Sequence, residues 1–532
     1  MIKKNPSFLI FLSLFILLFP GLLVPVTPNV GEYTGKTGYG YPMSFKVLSQ
    51  GTQWQQFKLT FKYSGVFSGT KTITVNGPGS INNGQFSYQT NTYSFTGHFT
   101  SPNTALGTYE LNKYRINLGW IYVYVTGSDT WSATGSTTPG TGPPFGSFDT
   151  PKDGSTVCSS IAVTGWALDD TGVASVKIYR EEGSKLVYIG DAMLVEGARP
   201  DVAAAYPGYP NNTKAGWGYM MLTNFLPNSG NGTFVLHAIA TDTSGKTTTL
   251  GTKTIFCDNL NAVKPFGAID TPTQGGTASG TSFINWGWVL TPQPNSIPTD
   301  GSTINVFVDG VNVGHPFYNI YRKDIADLFP GYANSNGAIG YFYLDTTAYA
   351  NGVHTIQWTA RDTGGNSDGI GSRYFSISNS GARSTMQAQM LGTQLATLDI
   401  RKVSDLPEDY SPVRMKQGFK PDILPQDVIQ DENGMNRIVI KELERIEVHL
   451  SHQFSRGNSY SGHLVVGSRL TALPVGSTLD AEKGIFYWQP GPGFLGHYHL
   501  VFVETSPNGT MMKKNIIVEI LPKSTISDEY GR

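Results

Sequence analysis

Hydrophobic and polar residues alternate along most of the chain in short runs with a period of two. Residues 57–63 alternate apolar side chains with lysine and threonine, and residues 93–99 follow a similar pattern. Successive side chains of a strand point to opposite faces, so this period predicts half-buried β-strands. Clusters of turn-forming residues at 76–79 and 82–84 separate the runs. The pattern therefore predicts an all-β fold.

The same alternation recurs later in the chain, at 234–240, 304–308, 446–450 and 498–502. After the second of these runs, Asp309-Gly310 predicts a two-residue hairpin turn, because both residue types tolerate a positive φ. The later part of the chain is therefore also expected to consist of paired strands.

Residues 199–206 depart from the alternation. Pro200 suits the first turn of a helix, Asp201 suits its positive end, and three alanines follow. We predict a short helix inserted between strands.

The chain contains an internal duplication. The motif Phe-Gly-x-x-Asp-Thr-Pro at 145–151 recurs at 266–272, and several later motifs recur in the same order. The offset between the two sets stays at 120 to 123 positions. Equal spacing over several motifs indicates two homologous domains, 144–262 and 263–380.

At 532 residues the chain is too long for one hydrophobic core, so several domains are expected. We predict the following division: 1–28 signal peptide or N-terminal anchor, 29–135 β-rich module, 136–143 Gly/Thr/Pro linker, 144–262 and 263–380 duplicated domains, 381–437 extended linker, 438–522 final domain, 523–532 tail.

The duplicated region resembles the bacterial immunoglobulin (Ig)-like domains of secreted and surface proteins. Residues 163–170 look like the family's strand with Gly, Ala and Asp at alternate positions, and 240–245 look like its Ala-x-Asp-x-x-Gly hairpin. The second copy departs at 288–291, where the acidic pair is missing. The final domain is similar to Ig- and cadherin-like modules through 473–480 and 484–490. The resemblance implies tandem β-sandwich domains of the Ig-like kind, joined by linkers.

The N-terminus predicts export. Lys3 and Lys4 precede an apolar run at 8–19, which is shorter than a typical transmembrane helix. We expect a secreted or cell-surface protein, with membrane contact only through this segment if it stays uncleaved. The formal net charge of −1 and 14% charged residues give no electrostatic reason to expect nucleic acid as a partner.

The chain has two cysteines, Cys158 and Cys257, near the edges of one predicted domain. In an exported protein such a pair is expected to form a disulfide. The alternative is two separate thiols.

We expect no catalysis and no cofactor. The sequence offers no nucleophile elbow, because its Gly-x-Ser-x-Gly match, at 365–369, lies in a glycine-rich hairpin and not in a strand-to-helix turn. The acidic residues of the first copy have ordinary turn or helix-end explanations.

His497 and His499 share one face of a strand, where a half-buried outer face is the favoured interpretation over a metal site. Calcium is the better-supported metal: Asp362, Asn366 and Asp368 are oxygen ligands in one glycine-rich hairpin. Stabilisation of the turn by the same side chains is the alternative.

Aromatic residues crowd one stretch of the first copy. Tyr206, Tyr209, Trp217 and Tyr219 are candidate ligand contacts, because exposed rings stack well on sugar faces. The second copy repeats three of these rings, which favours packing around the predicted helix for those three. The unmatched Trp217 is the better candidate contact.

The expected function is a non-catalytic extracellular or cell-surface protein that acts in scaffolding or adhesion through tandem Ig-like domains. The alternative is a carbohydrate-binding accessory protein that uses exposed aromatic residues of the duplicated domains. The expected partner is a cell-surface protein or a polysaccharide. An exposed Trp217 favours the alternative, and a buried Trp217 favours scaffolding or adhesion.

Overall fold

The structure, a computed structural model, describes residues 26, 28–29, 31–48, 51–64, 67–118, 121–135, 142–380, 403–420, 423–432, 434–451 and 457–523. Residues 1–25 of the predicted leader, 136–141 and 381–402 of the two predicted linkers and 524–532 of the tail lie outside the described residues. The chain divides into two compact units, Met1–Thr138 and Pro139–Arg532.

The first unit is a single antiparallel sheet. Its strands are β1 (Gly31–Thr37), β2 (Pro42–Leu48), β3 (Gln53–Tyr63), β4 (Gly69–Val75), β5 (Gly79–Ser80), β6 (Gln85–Gln89), β7 (Tyr93–Ser101), β8 (Thr104–Asn117) and β9 (Tyr122–Gly135). They lie in the order β4-β3-β2-β1-β9-β8-β7-β6, and β5 pairs with β3. Phe57 of β3 stacks on Phe95 of β7, with 3.7 Å between the ring centroids. Strands so distant in the order touch because the sheet folds over on itself around their apolar side chains.

The first copy of the duplication is one continuous sheet. Its elements are β10 (Phe145–Thr150), β11 (Ser155–Val157), β12 (Ser160–Leu168), β13 (Val173–Glu182), β14 (Lys185–Leu194), α1 (Pro200–Ala205), β15 (Gly216–Leu222), α2 (Pro227–Gly230), β16 (Asn231–Asp242) and β17 (Thr247–Asp258). The strand order is β10-β12-β15-β14-β13-β16-β17-β11. The long strand β14 pairs with both β13 and β15, so it connects the two layers of the sandwich.

The second copy has two separate sheets. Its elements are β18 (Phe266–Ile269), β19 (Thr277–Ala278), β20 (Phe283–Leu290), β21 (Ile304–Val308), β22 (Val311–Gly314), β23 (Phe317–Ile320), α3 (Lys323–Leu328), β24 (Ile339–Leu344), β25 (Gly352–Arg361) and β26 (Ser367–Ile377). The orders are β18-β20-β24-β23 and β19-β26-β25-β21-β22. Pro316 separates β22 from β23, where the first copy has the unbroken β14. Proline has no N–H for the ladder, so the strand ends there and the two layers part.

The final domain again has two sheets. Its strands are β27 (Arg414–Gln417), β28 (Gln426–Asp427), β29 (Asn436–Lys441), β30 (Ile446–His449), β31 (Ser459–Val466), β32 (Arg469–Thr471), β33 (Ser477–Asp480), β34 (Ile485–Trp488), β35 (Gly496–Thr505) and β36 (Met511–Leu521). The orders are β28-β27-β30-β34-β33 and β29-β36-β35-β31-β32. The architecture is therefore all-β with tandem Ig-like sandwiches.

The predicted linker at 381–437 is wrong for its second part. Strand β27 pairs with β30, and Val413 and Val428 are buried in the core of the final domain. Four residues make too short a strand to show a period, and the prolines and charges around it favoured a linker.

The predicted helix is confirmed as α1, and α3 occupies the equivalent place in the second copy. The arginine before each helix explains why the aspartate of the Phe-Gly-x-x-Asp-Thr-Pro motif recurs in both copies. Arg199 donates to Asp149 of the first repeated motif and makes two hydrogen bonds to Asp201. Arg322 contacts the two corresponding aspartates. The ion pairs fasten the start of each helix to the first strand of its domain.

The predicted disulfide between Cys158 and Cys257 is wrong. Both thiols are buried but not joined to each other. Val157 is the register partner of Cys257, so Cys158 lies one residue further along, where the side chain points to the other face. Cys257 lies in the core of the first copy, at the position that Ile377 holds in the second. Burial raises the pKa of the Cys257 thiol to about 12, as expected of a small apolar core residue.

Candidate functional site

Trp217, the ring predicted to contact a ligand, is fully buried. It projects from β15 into the core of the first copy, against Phe148, and its indole covers Gly165 of β12. A side chain without exposed surface cannot stack on a sugar, so the prediction for Trp217 is wrong. The reason is the alternation along β15, which turns Trp217 inward.

Tyr206 and Tyr209 pack around α1. With Phe145 and Trp166 they form an edge-to-face cluster, in which Phe145 lies 5.2 to 5.8 Å from the other three ring centroids. The second copy forms the same cluster with Phe266, Trp288, Phe329 and Tyr332. The interpretation that the repeated rings pack around the helix is confirmed for these two positions. Tyr219, the fourth predicted contact, instead lines a cleft at the junction of the two copies.

The three candidate calcium ligands lie at the hairpin between β25 and β26. Asp362 is buried and accepts hydrogen bonds from the backbone N–H of Asn366 at 2.9 Å and from the Thr291 hydroxyl at 3.0 Å. Asp368 forms an ion pair with Lys523 at 3.3 Å. Among the described residues, no group of three or more His, Cys, Asp or Glu side chains is arranged to hold a metal ion. Turn stabilisation accounts for the contacts of Asp362, and calcium binding stays a prediction.

Each copy has an outer face, formed by the side chains of β12 and β15, or of β20 and β24, that point away from the sandwich core. In the first copy the neighbouring β14 adds Met193 to this face. Beyond the end that packs against α1, the side chains of this face include small or flexible ones: Ala162, Thr164, Met193, Gly218 and Met220. The final domain covers this face. A Cβ added at Gly218 would collide with the backbone of Pro492, and Ala162 and Met220 are buried with Leu443.

Glu442 is the polar centre of this interface. Its Oε1 accepts hydrogen bonds from the hydroxyls of Thr150 at 2.8 Å and Thr164 at 3.3 Å. Its Oε2 accepts the backbone N–H of Lys523 at 3.0 Å. Burial raises the pKa of Glu442 to about 7, although these three hydrogen bonds favour the charged form. A carboxyl group that ionises near neutral pH therefore lies between two domains.

The final domain also contacts the second copy. The Tyr374 hydroxyl donates to the carbonyl of Pro492 at 2.8 Å, and Arg445 Nε donates to the carbonyl of Gly310 at 2.7 Å. Both donor side chains are buried. The final domain thus packs against both copies, and buried hydrogen bonds hold it to each.

The outer face of the second copy is different. Strands β20 and β24 contribute Ile284, Trp286, Tyr341 and Tyr343, and the neighbouring β23 adds Phe317; we call these five side chains the aromatic face. Trp286 and Phe317 flank Tyr341 on neighbouring strands, with centroid separations of 5.0 and 5.1 Å, and Tyr343 continues the row at 5.4 Å. Phe317 is 62% exposed and Tyr343 is 51% exposed. A row of exposed rings of this kind is able to stack on the apolar side of a flat ligand.

Sequence reasoning missed the aromatic face, although the duplication carried its signal. Matching the motifs pairs Gly218-Tyr219 with Gly340-Tyr341. The sheet register instead aligns Gly218 with Tyr341, since Gly218 lies opposite Thr164 and Tyr341 lies opposite Trp286. A shift of one residue exchanges the inner and outer sides of a strand. Aligned by register, the second copy has two large rings where the first has glycine and threonine.

Residues 144–224 match a family described as "Bacterial Ig domain". The match begins just before β10 and ends just after β15. No curated protein is significantly similar to the chain in sequence. In the part of the chain that the structure describes, no helix has the length and apolar character needed to cross a membrane.

Three solved structures are similar to the chain at low sequence identity. The fibronectin(III)-like modules of Clostridium thermocellum CbhA are 15% identical, with a TM-score of 0.15 over 44% of this chain and 94% of theirs. Bacteroides ovatus SGBP-B, solved with a mixed-linkage heptasaccharide, is 9% identical, with a TM-score of 0.16 over 71% of this chain and 68% of its own. A Ca²⁺-stabilised, ice-binding adhesin of an Antarctic bacterium is 10% identical, with a TM-score of 0.13 over 93% and 91%. TM-scores of this size carry no argument about function.

Proposed function

Since the chain is a bacterial Ig-like domain protein, we propose that it acts outside the cytoplasm as a non-catalytic scaffold in adhesion. The observation that carries this proposal is the packing of the final domain across both Ig-like copies. Glu442 fastens it to the first copy, and Tyr374 fastens it to the second. Domains held together by buried hydrogen bonds keep their solvent-exposed surfaces in fixed relative positions. A scaffold requires such fixed positions.

A second candidate function is carbohydrate binding, and the aromatic face favours it. In the first copy, Gly218 leaves room for Pro492 of the final domain. In the second copy, Tyr341 occupies that position and closes the space. A second copy of the final domain is therefore unable to dock there in the same way, whereas a flat sugar chain can lie across the rings.

The test is a pull-down of the full-length protein with insoluble polysaccharides and with whole cells, each with and without calcium. The full chain is needed because the core of the final domain includes Val195 and Ala198 of the first copy. The matched pair is a Phe317→Ala/Tyr341→Ala double variant and a Tyr39→Ala control. Tyr39 is 76% exposed and belongs to the first unit.

We expect binding to cells by the wild-type protein and by the control. Retention on a polysaccharide that the double variant loses by about tenfold or more would support carbohydrate binding at the aromatic face. Binding to cells but to no polysaccharide would favour a protein partner. Failure of the folded protein to bind any cell or polysaccharide would overturn the adhesion proposal.

A further inference from the structure

A cleft of about 430 Å³ opens where the first copy meets the second. Strands β14 and β15 line one side, and strands β18 and β26 line the other. The Ser160 hydroxyl joins the two copies at this cleft by donating to the carbonyl of Ile370 at 3.2 Å. Small-molecule sites in proteins commonly measure about 300–1,000 Å³, so this cleft has the size of a site for one small ligand.

Arg373 contributes a positive charge to the wall formed by the second copy. The side chain is partly buried, and its Nη1 donates to the carbonyl of Ser372 at 3.2 Å. Asp270, an acid close enough to act on it electrostatically, is bonded by Arg322. No carboxylate in the described ranges forms an ion pair with Arg373. A guanidinium in this setting loses hydration without gaining a counter-ion, and burial accordingly lowers the pKa of Arg373.

The wall formed by the first copy contributes a second guanidinium. Arg180 lines the same cleft, and its side chain is 15% exposed. Its Nη2 lies 3.2 Å from Glu182, whose side chain is 62% exposed and points to solvent. Two arginines therefore line this cleft, and one of them has an acidic partner.

Two tyrosines supply ring surfaces between these charges. Tyr219 lies across Gly190 of β14, so closely that a Cβ at that position would collide with the ring. The absence of a side chain at Gly190 thereby leaves room for the Tyr219 ring. Tyr188 is half exposed at the opening of the cleft. Tyr219 combines a flat apolar ring with a hydroxyl group that can donate or accept a hydrogen bond, whereas the Tyr188 hydroxyl is bonded to Asp191 and Lys177 lies 5.5 Å from its ring centroid.

We propose that this cleft binds a carboxylated sugar ring of the hexuronate type, with the carboxylate between Arg373 and Arg180 and the ring against Tyr188 and Tyr219. Arginine matches the planar, two-oxygen geometry of a carboxylate, which the unpaired Arg373 supplies here. The tyrosine rings, together with the Tyr219 hydroxyl, provide the combination of ring surface and hydrogen-bonding group that a sugar needs. None of these residues belongs to the aromatic face, so either site can fail while the other stands.

The experiment is isothermal titration calorimetry of the full-length protein with sodium glucuronate. Glucose, sodium sulfate and an acetylated tripeptide with a free carboxylate are the other titrants. The variant is Arg373→Gln, with Lys253→Gln as the matched control. Lys253 holds the same ladder position in the first copy and does not line the cleft. Tyr188→Ala is a second variant at an exposed side chain, which lowers the risk of misfolding.

We expect glucuronate to bind, and Arg373→Gln to weaken binding by about tenfold or more, as loss of a charged hydrogen bond does. Tyr188→Ala should weaken binding by about threefold to tenfold, and Lys253→Gln should leave it unchanged. Equal binding of glucose or sulfate, tighter binding of the tripeptide, or unchanged binding by both cleft variants would overturn the proposal.

Discussion

Each Ig-like copy fills its core with a tryptophan side chain, but the two tryptophans come from opposite layers of the sandwich. In the first copy, Trp217 projects from β15 and covers Gly165. In the second copy that position is Gly340, and Trp358 reaches the same space from β25 on the facing sheet. Ala238 stands in the first copy where Trp358 stands in the second. The copies thus keep the packed volume of the core and not the identity of each position.

Unlike the cores, the outer faces of the two copies do not conserve side-chain volume. Small side chains in the first copy let the final domain approach backbone to backbone at Gly218. The large rings of the second copy prevent that approach and remain exposed to solvent. One duplication has therefore produced an internal interface on one copy and an available surface on the other.

Giving the first copy the residue that the second copy has at this position should prevent the final domain from docking on it. In Gly218→Tyr, the new ring would occupy the space of Pro492 and displace the final domain. Overpacking of this kind typically costs about 1–3 kcal/mol, and backbone contact places this site at the upper end or beyond. Hydrogen–deuterium exchange of the full chain should show faster exchange in peptides around 488–495.

The reciprocal change, Tyr341→Gly, is the control. It should leave exchange around 488–495 unchanged, because no contact among the described residues joins Tyr341 to the final domain. Normal protection in Gly218→Tyr would show that the close approach at Gly218 does not determine docking.

The interface on the first copy should weaken as the pH rises, because burial raises the pKa of Glu442 to about 7 in the folded protein from its ordinary value of 4.5. The folded state therefore holds a proton that the unfolded state releases first. The stabilisation is complete below pH 4.5, falls as the pH rises through about 7, and then levels off. The shift corresponds to about 3 kcal/mol. The measurement is scanning calorimetry of the full chain from pH 4 to 8.

Glu442→Gln should remove this part of the pH dependence, so the difference in transition temperature between the wild type and the variant should change across that range. Glu432→Gln, at an exposed position, is the control and should show a constant difference. A constant difference for Glu442→Gln as well would mean that Glu442 ionises normally in the folded protein.

The two core indoles should respond differently to the loss of their N–H. Trp358 Nε1 donates to Asn285 Oδ1 at 2.6 Å, whereas Trp217 Nε1 has no hydrogen-bond partner among the described residues. Trp358→Phe should therefore cost about 1–3 kcal/mol more than Trp217→Phe, because it leaves the buried Asn285 oxygen unpaired. Hydrogen exchange of β25 and β16 in the full chain measures the two local stabilities.

Adding Asn285→Val to Trp358→Phe should recover part of the difference, since Val163 holds the corresponding position in the first copy. Equal losses in the two single variants, or no recovery in the double variant, would show that the hydrogen bond contributes nothing net.

Local sequence patterns were sufficient for the strands, because burial of one face imposes the period of two on each strand separately. Leu236, Ala238 and Ala240 show this, as does the hairpin at Asp309-Gly310. The helix α1 was also predictable, because Pro200 and Asp201 act within one turn.

The candidate site was not predictable in the same way. Whether a ring on β15 or β24 points inward depends on the register with a distant strand, and motif spacing left that register uncertain by one residue. Whether an outer face is covered depends on Pro492 and Glu442, which come more than 200 residues after the face they touch. No local pattern encodes such contacts.

The core of the final domain includes two residues of the first copy, Val195 and Ala198, and Tyr498 donates to a carbonyl 300 positions earlier. Synthesis begins at the N-terminus, so the first copy emerges long before the domain that completes this contact. Until then Met193 and Met220 stand uncovered on its outer face. A fragment that ends before residue 412 would lack the final domain and leave that surface uncovered. Cleavage there would convert a buried domain interface into an exposed apolar patch, prone to association, on the remaining fragment.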